Sequence, residues 1–217
     1  TQNLVNGDPC DDLNPCTSGE TCFNGGCANG SPVTQCVAND FCCPSGCNLN
    51  NDPDCATFDL DIGPYGSTYS SSSGTRGYWF QAPVTFTIKE LRVPIDVGTA
   101  AQNIQVVRFN SGPPPDYSAS TTNHTTLGLF QNVPGTSYIV VNIPVMAGDY
   151  IGILGARGTT TLSNSYAATS TYSTLIFNQP VVLHRLVYQA NLYTTPAGAL
   201  SNENGGSYSR IELRYGP

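Results

Sequence analysis

The first 55 residues contain no lysine, arginine or histidine. Across the 217-residue chain, charged side chains amount to 11%, and methionine and tryptophan occur once each. No apolar run is long enough to cross a bilayer, so no membrane span is expected. A net charge of −7 without any basic run argues against a nucleic-acid surface. Catalytic signatures are equally scarce, with no G-x-S-x-G elbow and no H-E-x-x-H zinc motif. His124 lies in a Thr-rich loop and His184 in a strand pattern. Nothing pairs Glu90, Asp96, Asp149 or Glu212 into the facing carboxylates of a glycosidase. The expectation is a protein that is not an enzyme.

What the first 55 residues do contain is every cysteine and the whole net charge. Asp8, Asp11, Asp12, Glu20, Asp40, Asp52 and Asp54 lie there, while the remainder carries eight acidic and eight basic side chains. Nine cysteines (Cys10, Cys16, Cys22, Cys27, Cys36, Cys42, Cys43, Cys47 and Cys55) in so short a segment read as a disulfide framework. Such a framework implies an oxidising, extracytoplasmic compartment. Eight of the nine can pair, in a pattern the sequence leaves open, and the ninth is free or bonded to another molecule. Cys22-x4-Cys27 and Cys43-x3-Cys47 offer spacings for zinc, but no His accompanies them and oxygen ligands surround them. The chain begins at Thr1, as a secreted protein would after removal of a signal peptide.

Carboxylates crowded without a counter-charge repel one another unless a cation sits among them. A hard divalent ion suits oxygen ligands, calcium first. Asn48, Asn50, Asp52 and Asp54 place oxygen-bearing side chains at every second position, as the first part of a calcium loop does, though without the Gly and distal Glu of an EF-hand. Asp40 precedes the Cys42-Cys43 pair and could be drawn close by a bridge. A second candidate cluster, Asp8, Asp11, Asp12, Asn14 and Glu20, is interleaved with Cys10, Cys16 and Cys22. The competing reading is that these are ordinary turn residues capping loops.

Cysteine stops at Cys55, which sets the expected domains at 1–55 and 56–217. Beyond the boundary, Phe58, Leu60 and Ile62 alternate with Asp59 and Asp61. Those two carboxylates project from one strand face, about 7 Å apart. They are either solvated or available to an ion that locks the cysteine-rich segment to the strand-forming remainder of the chain. Further strand patterns fall at 77–81, 84–93, 103–109, 127–132, 137–145, 149–155, 172–177, 181–193 and 209–215, separated by long loops at 63–76, 110–126 and 194–208. No window has a helical period with caps. The expected fold is all-β: an antiparallel β-sandwich, jelly-roll-like, preceded by a small disulfide-rich module with little regular structure.

The run Cys10-Asp11-Asp12-Leu13-Asn14-Pro15-Cys16-Thr17-x-x-Glu20-x-Cys22, followed by Gly26-Cys27, resembles the cysteine-rich repeats of slime-mould extracellular-matrix and spore-coat proteins. Similar segments occur in secreted proteins of myxobacteria and other environmental bacteria. Cys42-Cys43-Pro44-Ser45-Gly46-Cys47 through Asp52-x-Asp54-Cys55 resembles a second motif of those bacterial proteins. Gly77-Tyr78-Trp79-Phe80, Leu91-Arg92-Val93-Pro94 and Ala147-Gly148-Asp149-Tyr150-Ile151-Gly152 resemble exported bacterial surface domains, including subunits of calcium-stabilised extracellular fibres. These resemblances imply a secreted structural or adhesive role, with copies self-assembling into a homopolymeric fibre or surface layer. The uncharged Thr1 to Gly7 would then be suited to pair with a neighbour's sheet edge. The alternative is a carbohydrate-binding or adhesin module with structural calcium, because all twelve tyrosines and Trp79 lie after residue 57 and exposed rings stack on glycans. Trp79 alternates with Tyr78 and Phe80, so those three cannot form one platform.

Overall fold

The computed structural model describes residues 5–10, 16–24, 26–28, 30–38, 40, 42–44 and 46–217. The chain divides into two compact units, Thr1–Phe58 with Gly216–Pro217, and Asp59–Tyr215.

In the first unit four short strands are joined by disulfides rather than by a large core. β1 (Thr17–Ser18) pairs antiparallel with β4 (Ser31–Pro32), and β2 (Thr21–Phe23) with β3 (Gly26–Ala28). Asn24 turns the second pair at φ 51°, a left-handed conformation that Asn tolerates better than most residues. The bridges are Cys10–Cys27, Cys16–Cys42, Cys36–Cys47 and Cys43–Cys55, and Cys22 is a buried free thiol. Each bridge overlaps the next along the chain. Closing loops of this size stabilises by about 3 kcal/mol apiece, chiefly through the unfolded state. A segment of this length needs that help, because its buried apolar surface is small. Of the cysteines in the two zinc-like spacings, Cys27, Cys43 and Cys47 are committed to disulfides and Cys22 remains a thiol.

The second unit is an antiparallel, jelly-roll-like sandwich. Its strands are β5 (Phe58–Asp59), β6 (Tyr65–Ser71), β7 (Thr75–Gln81), β8 (Phe86–Arg92), β9 (Gln102–Phe109), β10 (His124–Val133), β11 (Ile139–Val145), β12 (Tyr150–Gly158), β13 (Leu162–Ala167), β14 (Thr171–Ile176), β15 (Gln179–Tyr188), β16 (Leu200–Asn202) and β17 (Glu212–Gly216). The large sheet runs β10-β9-β12-β7-β15-β14, with β13 and β6 continuing from β12 and β16 flanking β15. The small sheet runs β11-β8-β17-β5. The chain passes from large to small sheet between β7 and β8 and between β10 and β11, returning each time.

Alternation explains both cores. Tyr78 and Phe80 of β7, Ile104 and Val106 of β9, and Ile151 and Ile153 of β12 point inward against Phe86, Ile88, Ile143, Leu213 and Tyr215 of the small sheet. The residues between them build a second cluster on the opposite face: Val107, Phe109, Leu154, Ala156, Leu186 and Tyr188, covered by Leu192, Ala197 and Leu200. β9 and β12 are therefore buried on both sides. Gly77 lets β7 lie close to β12, for a Cβ there would stand 1.8 Å from the Ile153 carbonyl oxygen.

The structure departs from the sequence patterning at five places. The 181–193 pattern is not one strand: β15 ends at Tyr188, and Asn191 turns the chain by donating to the Thr159 carbonyl (2.8 Å) and accepting from Tyr193 N (2.9 Å). β6 lies within the stretch expected to be a Ser-rich loop, and β16 within another expected loop. β13 has no counterpart among the expected strands. β6 and β13 are rich in Ser, Thr, Asn and Tyr, and Tyr69 of one stacks on Tyr166 of the other at 5.2 Å. His124 opens β10 rather than lying in a loop.

Arg157, 1% exposed, closes one end of the sandwich. Its guanidinium donates to the carbonyls of Val93, Pro94, Ala100 and Gly135. Burial lowers its pKa from the ordinary value. Arg157→Leu would leave those carbonyls without donors, and we expect a loss of about 3–5 kcal/mol in urea unfolding, only partly recovered by Arg157→Lys.

Candidate functional site

The described part of the acidic motif folds as a turn followed by a short 3-10 segment. Asn48 Oδ1 accepts from Asn50 N (3.0 Å), and Asn51 Oδ1 accepts from Asn48 N (2.7 Å). Asn48 and Asn50 are exposed, so these two behave as the turn reading expects. Asp52 and Asp54 differ, being 0% and 3% exposed. Asp52 is the N-cap of the 3-10 turn Pro53–Cys55, and its Oδ1 accepts from Asp54 N at 3.0 Å. Pro at the next position suits a helix start, since it lacks the N–H that would go unbonded. Asp52 Oδ2 is buried with no hydrogen-bond partner among the described residues. Asp54 Oδ2 accepts from Asp40 N (2.9 Å), and Asp40 Oδ1 from Cys42 N (3.0 Å), so Asp40 does come to the Asp54 end of the motif.

Glu20 stands apart from these, with its Oε1 buried against Gly30 and without a hydrogen-bond partner among the described residues. Asp8 accepts from Val5 N at 3.0 Å. Asp11, Asp12 and Asn14 lie outside the described residues, as does Thr1 to Leu4 of the expected strand donor. Val5 to Gly7 is held near β2, Gly7 N donating to Cys22 O at 2.9 Å. Among the described residues no three His, Cys, Asp or Glu side chains gather into a metal-holding group.

In the sandwich, by contrast, acids meet arginines. Arg214 contacts Asp59 (2.8 Å) and Glu90 (2.9 Å), Arg92 pairs with Glu212, Arg210 with Asp96, and Arg185 with Glu203 (2.7 Å). Tyr138 lies between two guanidinium groups, Arg92 at 4.3 Å and Arg214 at 4.1 Å from its ring centre. Asp61 accepts from Gly63 N and from the Tyr172 hydroxyl. Asp59 and Asp61 thus already have partners inside the sandwich, which removes the need for an ion that their spacing suggested.

Rings gather elsewhere. Trp79 of β7 points away from Tyr78 and Phe80, as alternation requires, but its neighbours across the sheet are also aromatic. It stacks on His184 of β15 (ring centres 4.4 Å, 17°) and leans toward Tyr150 of β12 (6.3 Å, 46°). Register makes the cluster, with His184 opposite Trp79 and β12 on the other side. No motif could have found it, because the three rings are far apart in sequence.

A comparison with protein-family models gives no match, and neither does one with curated protein sequences. No helix among the described residues is long and apolar enough to cross a membrane. The four disulfides suit an oxidising, extracellular environment.

Burial lowers the His184 pKa below its ordinary 6.5. Stability from the neutral ring is therefore complete above pH 6.5 and is lost as pH falls through the lower folded value. Trp79 is the only tryptophan, so its fluorescence reports this titration. We expect quenching with a midpoint below pH 6.5 that disappears in His184→Gln.

Proposed function

We propose that the chain is a structural subunit of a secreted extracellular fibre or surface layer. In this reading copies pair through sheet edges, and calcium steadies the cysteine-rich unit. The observation that carries self-association is β14. It ends the large sheet's strand path, its sequence Thr-Tyr-Ser-Thr-Leu-Ile has neither charge nor proline, and its pairing with β15 runs without a bulge. Leu175 is 53% exposed there. Other edges are blunted: β10 carries two register shifts, β11 has one and contains Pro144, and β6 has one. Unprotected edges of this kind pair with other chains. Two copies of β14 pairing about a two-fold axis would give a closed dimer. A fibre needs β14 to accept a different edge of the next copy.

Support for the cation comes from Asp52. A buried carboxylate oxygen without a donor, in a unit that has no basic side chain before Cys55, is costly unless a positive charge comes to it. Oxygen ligands favour calcium, whose coordination also draws on backbone and Asn carbonyls. The resemblance of the cysteine spacing to secreted matrix and spore-coat repeats fits this reading. No catalytic role is assigned.

Ser173→Lys with Leu175→Lys should abolish filaments and larger species in electron microscopy and light scattering while leaving the melting temperature nearly unchanged. Wild-type protein that stays monomeric at high concentration with calcium would overturn the assembly. Separately, EGTA should lower the melting temperature of the wild type, and Asp52→Asn should remove most of that response. An unchanged transition would end the calcium assignment.

A further inference from the structure

The outer face of the large sheet is covered over only part of its area. Leu192, Ala197 and Leu200 pack with Leu154, Leu186 and Tyr188, and beside this cluster lies a groove of about 430 Å³. Trp79, Tyr150 and His184 line it together with Gln81, Val182 and two prolines, Pro113 and Pro180. The volume falls within the range of small-ligand sites.

Three properties of the lining define what would fit. First, it is aromatic on a rigid base, since all three rings stand on adjacent central strands. The indole is also held from behind: Trp79 Nε1 donates to Asn202 Oδ1 (3.0 Å), while Asn202 Nδ2 donates to Asp116 (2.6 Å) and to Asn204 Oδ1 (3.1 Å). Second, polar atoms without a protein partner sit among the rings. Neither the Tyr150 hydroxyl nor the His184 ring nitrogens meet a hydrogen-bonding partner among the described residues. Gln81 makes only a long bond to Gly148 O (3.3 Å). Third, no Asp, Glu, Lys or Arg lines the groove. The neighbouring Asp149 is occupied by Met146 N (3.0 Å) and by Arg108 at 3.9 Å.

A purely apolar ligand would leave the hydroxyl and the imidazole unpaired, and an anion would find no cation. A molecule with a flat C–H face and a rim of hydroxyls satisfies both the rings and the polar atoms. We propose that this groove binds an uncharged pyranose unit of a glycan, with a sugar face against the Trp79–Tyr150–His184 cluster and hydroxyls at Tyr150, His184 and Gln81. The site depends on neither self-association nor calcium, although its lining residues Pro180 to Val182 on β15 pair with Leu175 to Ser173 of β14.

The test uses the sole tryptophan. The whole chain is titrated with cellohexaose, mannohexaose, laminarihexaose and chitohexaose, and Trp79 fluorescence is followed together with calorimetry. At least one neutral hexasaccharide should give a saturable fluorescence change below about 10 mM. Tyr150→Phe, which removes only the hydroxyl, should weaken that ligand several-fold. Trp79→Ala should weaken it at least about tenfold. If Trp79→Ala fails to fold by circular dichroism, His184→Ala replaces it with the same expectation. The proposal is overturned if no hexasaccharide changes the fluorescence, or if binding survives these substitutions. Preference for alginate or heparin fragments would overturn the neutral-ligand assignment.

Discussion

A sheet whose central strands are apolar on both faces has to be covered twice, and the sandwich is organised around that requirement. Val106 and Val107 of β9, or Ile153 and Leu154 of β12, cannot both be satisfied by a two-layer sandwich. The small sheet covers one face. The other is covered by the segment after β15, which is why the chain turns sharply at Asn191 instead of continuing as strand. That cover is shorter than the sheet is wide. The aromatic groove lies beside the covered cluster, against which Trp79 and Tyr150 pack.

The two units resolve their charges differently. In the sandwich the arginines either meet acids at the sheet surface or, as with Arg157, spread over backbone carbonyls. Exposed pairs of this kind add little stability individually. Arg214, with two carboxylates and a tyrosine ring, is better placed than most because its guanidinium is fixed on several sides. The cysteine-rich unit has no such partners before Cys55, and there Asp52 and Asp54 are buried. Turn hydrogen bonds satisfy some of their oxygens but supply no positive charge. That difference is the physical basis of the proposal that a cation steadies the cysteine-rich unit.

Much of the fold was legible because its cores alternate cleanly: the patterns over 77–81, 103–109 and 149–155 became β7, β9 and β12. Cysteine stops at Cys55, whereas the compact units divide between Phe58 and Asp59, with Gly216–Pro217 counted in the first. The polar strands β6 and β13 were not legible, since a run rich in Ser, Asn and Tyr looks like a loop until pairing between the strands is known. The site divides the same way. Local motifs such as Asn48 to Asp54 can be read in sequence, but whether a carboxylate ends up in a turn or in the interior depends on the disulfides around it. The Trp79 cluster could not be read at all, because it exists only through register between β12, β7 and β15.

The overlap of the four bridges bears on how the cysteine-rich unit meets an environment rich in proteases. Cys10–Cys27 overlaps Cys16–Cys42, which overlaps Cys36–Cys47, which overlaps Cys43–Cys55. Every peptide bond between Cys10 and Cys55 is therefore spanned by at least one disulfide. A single backbone cut anywhere in that stretch severs the chain but releases nothing, and the two halves stay covalently one molecule until a reductant arrives.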